Sequence, residues 1–302
     1  MITSPLTRKE NVRKVLDIQV EDVLQLYRED YNIDVSPYFG DVSSIGIYEC
    51  LETGLKFYYP QIVGDEKFYS QLQRNANNYY GEYWKWEYEI ASLYIPAEST
   101  ILEIGCGSGY FLSRLKKLKK VHPLGIEMNS RALVEAQSRG IEVITENTEN
   151  YLKSCREKFD VICGFQLLEH IPNVYEFLEL CVNALAKGGI LAFSTPNSNP
   201  FLHGYDVYHT LNLPPHHQTL WSKESFRKLT DIFKQLNLET LKAEPIDANI
   251  MKVYIDSYKK FFKKEKFSFF LIKNFIPKFF WNKVGSLIGM EGRNLVAVYK
   301  KI

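Results

Sequence analysis

Residues 101–111, ILEIGCGSGYF, decide the fold. The apolar run at their start predicts a short buried strand, and the residues after the glycines have the spacing of a helix. Gly105, Gly107 and Gly109 lie between the two, where backbone N–H groups of a glycine-rich turn and a helix N-terminus can approach a ligand closely. A GxGxxG dinucleotide fingerprint counted from Gly105 requires glycine at position 110, which is Tyr110. The stretch therefore predicts a ligand-binding loop and disfavours a nicotinamide dinucleotide.

Short apolar runs alternate with helical patterns from Ser99 onward. Strands that alternate with helices at this spacing form βαβ units around a parallel sheet. A helical pattern at 224–237 and strand patterns at 238–246 and 294–302 complete the domain. We therefore predict an α/β fold. The five strand runs are ILEIG (101–105), HPLGIE (122–127), IEVIT (141–145), FDVICGF (159–165) and GGILAFST (188–195).

An acidic residue followed by GxGxG at the end of a first strand resembles the first motif of the class I S-adenosylmethionine-dependent methyltransferases, and Glu103 is that residue here. Residues 159–197, with their LEHI, Gly-Gly and STPN elements, also resemble this family. The resemblance implies a Rossmann-like sheet of seven strands with helices on both faces. It also implies S-adenosylmethionine as cofactor and S-adenosylhomocysteine as product. The cofactor-binding residues that it implies are Glu103, Gly105, Cys106, Gly107, Gly109, Glu127, Met128, Asn147, Thr148, Gln166 and Leu167.

The resemblance assigns the nucleoside to residues that follow the second and third strands. Glu127 is expected to accept both ribose hydroxyls, because a carboxylate can accept two hydrogen bonds at once. Met128 is expected to pack on the adenine. The side chain of Asn147 is expected to meet the adenine amine, and the backbone N–H of Thr148 a ring nitrogen.

The reactive end of the cofactor is expected near the end of the fourth strand. Gln166 and Leu167 border the sulfonium there, because open α/β sheets bind ligands outside the carboxyl ends of their strands. Histidine is the usual base for removing a hydroxyl proton, since its pKa lies near working pH. His170 follows this strand, and His216 and His217 occur in LPPHHQTLW (213–221). These three histidines are the candidate catalytic residues.

No metal is expected at these histidines. Their spacing matches no recognised ligand pattern. Consecutive residues of an extended segment point to opposite sides, so His216 and His217 are expected to face apart. A zinc knuckle in the N-terminal hairpin is also excluded, because Cys50 is its only cysteine.

Two regions are expected outside the core of the methyltransferase domain, which we place at 99–302. Residues 1–98 form an accessory or lid region with a helix near 11–27, a hairpin from GIYEC (46–50) and LKFYY (55–59), and helices within 66–95. Residues 247–291 form a helical cap insertion rich in lysine and aromatic residues. Its part at 258–283 either packs on the sheet or rests on an anionic membrane.

Composition and charge restrict the partners. The formal net charge is +1, so the whole-surface electrostatics do not predict nucleic-acid binding. Five cysteines without CxxC spacing indicate reduced thiols. No signal sequence or long apolar run is present, so a cytoplasmic protein is expected, with peripheral contact at the inner face of the membrane as the alternative. The oligomeric state is not indicated.

The methyl acceptor is the least determined feature. The PPHH segment resembles one in methyltransferases encoded among bacterial surface-glycan genes, which implies O-methylation of a carbohydrate or glycan intermediate. The LEHI region also occurs in enzymes that methylate small aromatic or isoprenoid acceptors such as quinone precursors, which gives the second hypothesis. A scaffold that binds the cofactor without turnover is the third.

Overall fold

The computed structural model describes residues 1–76, 83–156, 158–198, 210–245 and 291–302. The strands are β1 (Val12–Gln19), β2 (Ser44–Cys50), β3 (Lys56–Tyr59), β4 (Thr100–Ile104), β5 (His122–Ile126), β6 (Glu142–Ile144), β7 (Phe159–Phe165), β8 (Leu185–Pro196), β9 (Thr219–Leu220), β10 (Leu236–Ala243) and β11 (Asn294–Lys301). The helices are α1 (Val20–Tyr31), α2 (Ser36–Phe39), α3 (Glu66–Asn75), α4 (Trp86–Ser92), α5 (Tyr110–Lys119), α6 (Ser130–Ser138), α7 (Thr148–Ser154), α8 (Val174–Ala184), α9 (Lys223–Arg227) and α10 (Leu229–Ile232). Within these residues no helix has the length and apolar character needed to cross a membrane.

The larger sheet has seven strands in the order β10-β11-β8-β7-β4-β5-β6. Strands β4 to β8 pair in parallel, and β11 joins β8 and β10 by antiparallel pairing. The predicted α/β fold with a Rossmann-like, seven-stranded sheet is therefore confirmed. Because the four parallel pairings align the strands, their carboxyl ends lie along one edge of the sheet.

Both faces of this sheet are buried. Leu102 of β4 belongs to a core cluster that includes Phe177 of α8, whereas its neighbour Ile101 belongs to a second cluster that includes Phe111 of α5. Successive residues of a strand point to opposite faces, so each face of β4 is covered by a different helix layer. This arrangement leaves the edge formed by the carboxyl ends of the strands as the place where the loops meet.

The N-terminal region forms a second sheet, with the strand order β1-β2-β3-β9. The predicted hairpin is present as the antiparallel pair β2 and β3. The helix expected near 11–27 is wrong over its first half, because Val12–Gln19 is a strand that pairs with Ser44–Cys50 and the helix starts only at Val20. This pairing partner lies about 30 residues away in the chain, and a local pattern does not report it.

The second sheet also reaches into the C-terminal part of the chain. Strand β9 pairs with β3 although it lies within the predicted domain 99–302. The hydroxyl of Tyr27 donates to the Leu213 carbonyl oxygen at 2.9 Å, and that of Tyr58 to the Asn212 carbonyl oxygen at 2.9 Å. The boundary at 98/99 stays a prediction, and the segment before β9 is held by residues of the accessory region.

The helix predicted at 224–237 is divided into α9 and α10, and β10 begins at Leu236 rather than at position 238. The predicted cap insertion at 247–291, including 258–283, lies almost wholly outside the described residues. The proposed contacts of that insertion stay predictions.

Tyr27→Phe is expected to lower the free energy of unfolding by about 1 kcal/mol, because it removes one buried hydrogen bond to a neutral carbonyl. Tyr27 has no exposed surface. Urea denaturation of the variant measures the change. Tyr59→Phe is the matched control, because Tyr59 is 45% exposed in the same part of the fold. An equal effect of the two substitutions would contradict the role assigned to the Tyr27 hydroxyl.

Candidate active site

A cavity of about 1410 Å³ opens at the carboxyl ends of β4, β5 and β7. It is lined by ten of the eleven residues predicted to bind the cofactor and by all three candidate histidines. Most of these residues follow separate strands of the parallel sheet, which brings them to one edge, whereas His216 and His217 lie just before β9 of the other sheet. The predicted residue that does not line the cavity is Gly109. A Cβ at Gly109 would lie 3.0 Å from the Ala136 side chain, so this glycine serves the packing of α5 on α6.

The glycine loop follows β4 and has the geometry expected of a ligand-binding turn. Gly105, Gly107 and Gly109 have φ angles of 70°, 53° and 69°, in the left-handed region that favours glycine. The N–H of Gly107 donates to Oε2 of Glu127 at 2.9 Å, and the N–H of Asn129 donates to Oε1 at 2.7 Å. The Glu127 carboxylate therefore joins the loop after β4 to the loop after β5, and it lines the cavity where ribose hydroxyls are expected.

Glu103 is a buried carboxylate at the base of the loop. It is 2% exposed, and its Oε2 has no hydrogen-bond partner among the described residues. Burial raises its pKa well above the ordinary value, against the effect of Lys85, while the nearby Glu127 raises it further. A buried acceptor of this kind suits a cationic ligand group, and S-adenosylmethionine carries both an ammonium and a sulfonium. The residues present therefore fit that cofactor.

The residues expected to bind the nucleoside also line the cavity, with one complication. Met128 is 63% exposed and lines the cavity, which suits an apolar contact with a flat base. Asn147 and Thr148 line it too. However, Oδ1 of Asn147 already accepts from the N–H groups of Glu149 and Asn150 as the N-cap of α7. Both lone pairs of this oxygen are engaged, so the predicted contact of Asn147 with the adenine amine stays a prediction.

Gln166 ends β7 with a positive φ of 54°, which is unusual for a residue other than glycine. Its N–H donates to the Ser194 carbonyl oxygen at 2.9 Å. Strained backbone of this kind persists where the surroundings impose it, commonly at ligand sites. Leu167 follows Gln166 into the cavity, and a Cβ at Gly105 would lie 3.4 Å from its side chain. Leu167 thus borders the glycine loop, and the expectation that Gln166 and Leu167 border the sulfonium stays a prediction.

The three candidate histidines form one cluster. The rings of His216 and His217 stack with centroids 4.4 Å apart and an interplanar angle of 21°. The ring of His170 lies 4.6 Å from that of His216 and 4.9 Å from that of His217. The expectation that His216 and His217 face apart is wrong. Both of their N–H groups donate to the Leu213 carbonyl oxygen, so the segment is a turn and not an extended strand.

Burial controls the charge of the groups around this cluster. It lowers the pKa of His170 to about 4, partly offset by a hydrogen bond with the His216 backbone, so His170 is neutral near pH 7. The neighbouring Glu169 is 2% exposed, and burial raises its pKa to about 8. The region therefore disfavours charge unless a ligand of opposite charge is bound.

Several cavity residues were not identified from the sequence. Lys85 lies near Glu103 and Glu169, and Tyr88 packs edge-on against Phe165 at 4.8 Å. The aromatic content of residues 66–95 indicated a lid, but no local pattern marked Lys85 as part of the site. The hydroxyl of Tyr69 lies 3.2 Å from Nδ1 of His170, a contact made across about 100 residues.

The seven-stranded sheet and the cavity at the carboxyl ends of its parallel strands are typical of α/β proteins that bind a nucleoside cofactor. A methyltransferase-domain family matches residues 76–243, which is more than half of the chain. The chain belongs to this family. The class expected from the sequence, the class I S-adenosylmethionine-dependent methyltransferases, is confirmed, and S-adenosylmethionine is the cofactor of that class.

The chain is similar to curated proteins over a limited part of its length. It is 32% identical over 121 residues to ubiquinone biosynthesis O-methyltransferase of Pseudomonas putida (strain GB-1), covering 38% of this chain and 50% of the relative. The corresponding protein of Pseudomonas syringae pv. tomato is 32% identical over 139 residues, covering 43% and 58%. The chain therefore spans about half the length of the curated relatives it matches.

The chain is also similar to solved structures of low sequence identity. A SAM-dependent methyltransferase from Archaeoglobus fulgidus has a TM-score of 0.47 and 16% identity, covering 70% of this chain and 90% of that one. Coclaurine N-methyltransferase bound to N-methylheliamine and SAH has a TM-score of 0.48 and 14% identity, covering 71% and 72%. At this similarity they carry no conclusion about the acceptor.

Glu127→Ala is expected to weaken S-adenosylhomocysteine binding at least tenfold. The substitution removes the predicted acceptor of the ribose hydroxyls, each charge-assisted bond contributing roughly 1.5–3 kcal/mol, and it also releases the Gly107 N–H. Calorimetric titration measures the affinity. Glu142→Ala, at an exposed position of β6, is the control and should bind normally. Unchanged affinity in Glu127→Ala would exclude the assigned role.

Glu103→Gln is expected to make the stability of the ligand-free chain less sensitive to pH. Because the pKa of Glu103 is raised on folding, the folded chain retains a proton that the unfolded chain has lost, and stability falls as pH rises from about 4.5 toward that raised value. Lys85 opposes this effect and Glu127 adds to it. Denaturation at pH 5 and pH 8 should show a smaller loss in the variant than in the wild type. An identical loss of stability in the variant and the wild type would show that Glu103 is not the group that causes the pH dependence.

Proposed function

We propose that this protein transfers the methyl group of S-adenosylmethionine to a hydroxyl oxygen of a small aromatic, quinone-like acceptor. The observation that carries the proposal is the presence of the glycine loop and the cluster of three histidines in the lining of one cavity. The names of the curated relatives support an O-methyltransferase with a quinone-type acceptor. The glycan acceptor expected from the PPHH segment has less support.

The charge of the cavity supports an acceptor without phosphate groups. Among the described residues that line it, eight are aspartate or glutamate and two are lysine or arginine: Asp30, Asp65, Glu66, Glu103, Glu127, Glu149, Glu169, Glu244, Lys85 and Arg293. The raised pKa values of Glu103 and Glu169 keep these two side chains protonated near pH 7, but the other six acidic side chains still outnumber the two basic ones. A nucleotide sugar brings a diphosphate, which this excess of negative charge would repel. A neutral phenol or catechol does not carry that penalty.

The lining is also partly aromatic. Four tyrosines and two phenylalanines of the described chain face the cavity: Tyr31, Tyr69, Tyr88, Tyr110, Phe165 and Phe177. Aromatic side chains favour offset or edge-on contacts with an aromatic ring, which add roughly 0.5–1.5 kcal/mol beyond the burial of area. This lining supports a flat, ring-bearing acceptor.

Methyl transfer of this kind is an in-line displacement. The bound cofactor supplies an electrophilic methyl group on a sulfonium. The acceptor oxygen forms a bond to the methyl carbon, the carbon–sulfur bond breaks with its electron pair on sulfur, and the hydroxyl proton passes to water. The chain positions the two reactants. His170 is neutral near pH 7, and it lines the cavity together with His216 and His217, where we propose that one of these imidazoles contacts the acceptor hydroxyl.

Incubation with methyl-labelled S-adenosylmethionine and matched acceptors tests the proposal. We expect label in a catechol or hydroxylated quinone precursor and none in a nucleotide sugar, measured by mass spectrometry. The control acceptor is the same aromatic compound with its hydroxyls already methylated. Label in the nucleotide sugar alone would replace this function by the glycan hypothesis. Cofactor binding without labelling of either class would support a scaffold.

A further inference from the structure

The histidine cluster, which consists of His170, His216 and His217, has the arrangement of a metal site. One ring nitrogen of each residue lies within 4.8 Å of the other two. His216 and His217 are 5% and 4% exposed, so water has little access to two of the three rings. Three imidazoles this close cannot all be charged without strong repulsion. Neutral imidazoles are the commonest ligands of divalent transition metals.

The hydrogen bonds of two rings determine which nitrogen can bind. Nδ1 of His170 lies 2.8 Å from the His216 carbonyl oxygen, and Nδ1 of His216 lies 2.7 Å from the Leu211 carbonyl oxygen. A carbonyl oxygen only accepts, so Nδ1 carries the proton in both rings and Nε2 carries the lone pair. Metal-bound histidines characteristically donate their other ring N–H to a carbonyl or carboxylate in this way.

Glu169 provides an independent observation beside the cluster. Its carboxylate is buried, and neither oxygen has a hydrogen-bond partner among the described residues. Oε1 lies 3.9 Å from Nε2 of His170. A buried carboxylate without a partner costs considerable free energy, and a nearby cation removes that cost. Glu169 also lines the cavity together with the three histidines.

We propose that His170, His216 and His217 bind one divalent transition-metal ion of the zinc class, with Glu169 as the nearest carboxylate. Three protein ligands leave a coordination position for an oxygen of the acceptor. Tetrahedral zinc holds nitrogen ligands about 3.3 Å apart, given Zn–N bonds of about 2.05 Å. In the structure one ring nitrogen of each histidine lies within 4.8 Å of the other two. Small rotations of the rings therefore have to bring the three nitrogens closer to one another before they bind one ion.

The role of the ion rests on the proposed function. An acceptor oxygen bound to a divalent ion has a lowered hydroxyl pKa, so its proton passes to water without a histidine base. The oxygen then attacks the methyl carbon while the carbon–sulfur electron pair moves to sulfur. In this scheme the histidines position the acceptor through the ion and do not take its proton.

Titration of the full chain with Co²⁺ tests the site without reference to activity. Any affinity tag is removed and the protein is first treated with a chelator. We expect one Co²⁺ per chain, with the visible absorption of a low-coordinate centre and displacement by Zn²⁺. His216→Ala and His217→Ala should each lower the affinity at least tenfold, and Glu169→Gln should lower it less. His122→Ala, at an exposed histidine outside the cluster, should leave it unchanged.

The absence of this absorption in the wild type would overturn the proposal, as would equal Co²⁺ affinity in all the variants. S-adenosylhomocysteine binding verifies that each variant is folded. If an alanine variant fails to fold, the glutamine variant at that position replaces it and is judged by the same results.

The results that contradict the metal site differ from those that contradict the proposed function. A Co²⁺ centre that depends on the histidines, in a chain that labels no acceptor, would contradict the function and leave the site. Methyl transfer that persists after chelation, without a Co²⁺ centre, would contradict the site and leave the function.

Discussion

The hydrogen bonds that hold residues 211–218 against the N-terminal region determine where the histidine cluster lies. Tyr27 and Tyr58 donate to the carbonyls of Leu213 and Asn212, and the backbone of Gln218 bonds to Tyr58 and to Glu169. The segment therefore lies between the two sheets, bonded to each. Because it is fixed there, His216 and His217 reach His170, which follows β7 of the other sheet.

Two buried carboxylates of the site lower the stability of the folded chain when no ligand is bound. Glu103 lies at the base of the glycine loop, and Glu169 lies beside the histidine cluster. Burial raises the pKa of both side chains, and each has at least one oxygen without a hydrogen-bond partner in the described structure. Groups of this kind destabilise an empty fold but stabilise a bound cation. Both line the cavity, where we propose that they face positive charge, Glu103 that of the cofactor and Glu169 that of the metal ion.

The sequence was most informative where function depends on local backbone geometry. The glycine loop could be identified because a strand, a tight turn and a helix follow one another within a short stretch, whereas Glu103 and Glu127 were implied by the resemblance to the methyltransferase class. It was less informative where partners are distant. The strand Val12–Gln19 was taken for the start of a helix, because its pairing with Ser44–Cys50 leaves little trace in its own residues. The sequence did not predict that Lys85 and Tyr69 belong to the site, because their partners are also distant in the chain.

The sequence by itself determined the α/β class, the alternation of strands and helices and the position of the glycine loop, since hydrophobic period and glycine placement are local properties of the chain. Only the tertiary structure decided the relation between the histidines. Neighbouring residues in an extended strand would point apart, but two N–H groups bonded to the Leu213 carbonyl turn the chain and stack the rings. That turn depends on contacts with Tyr27 and Tyr58 far away in the sequence, and no local pattern encodes such contacts.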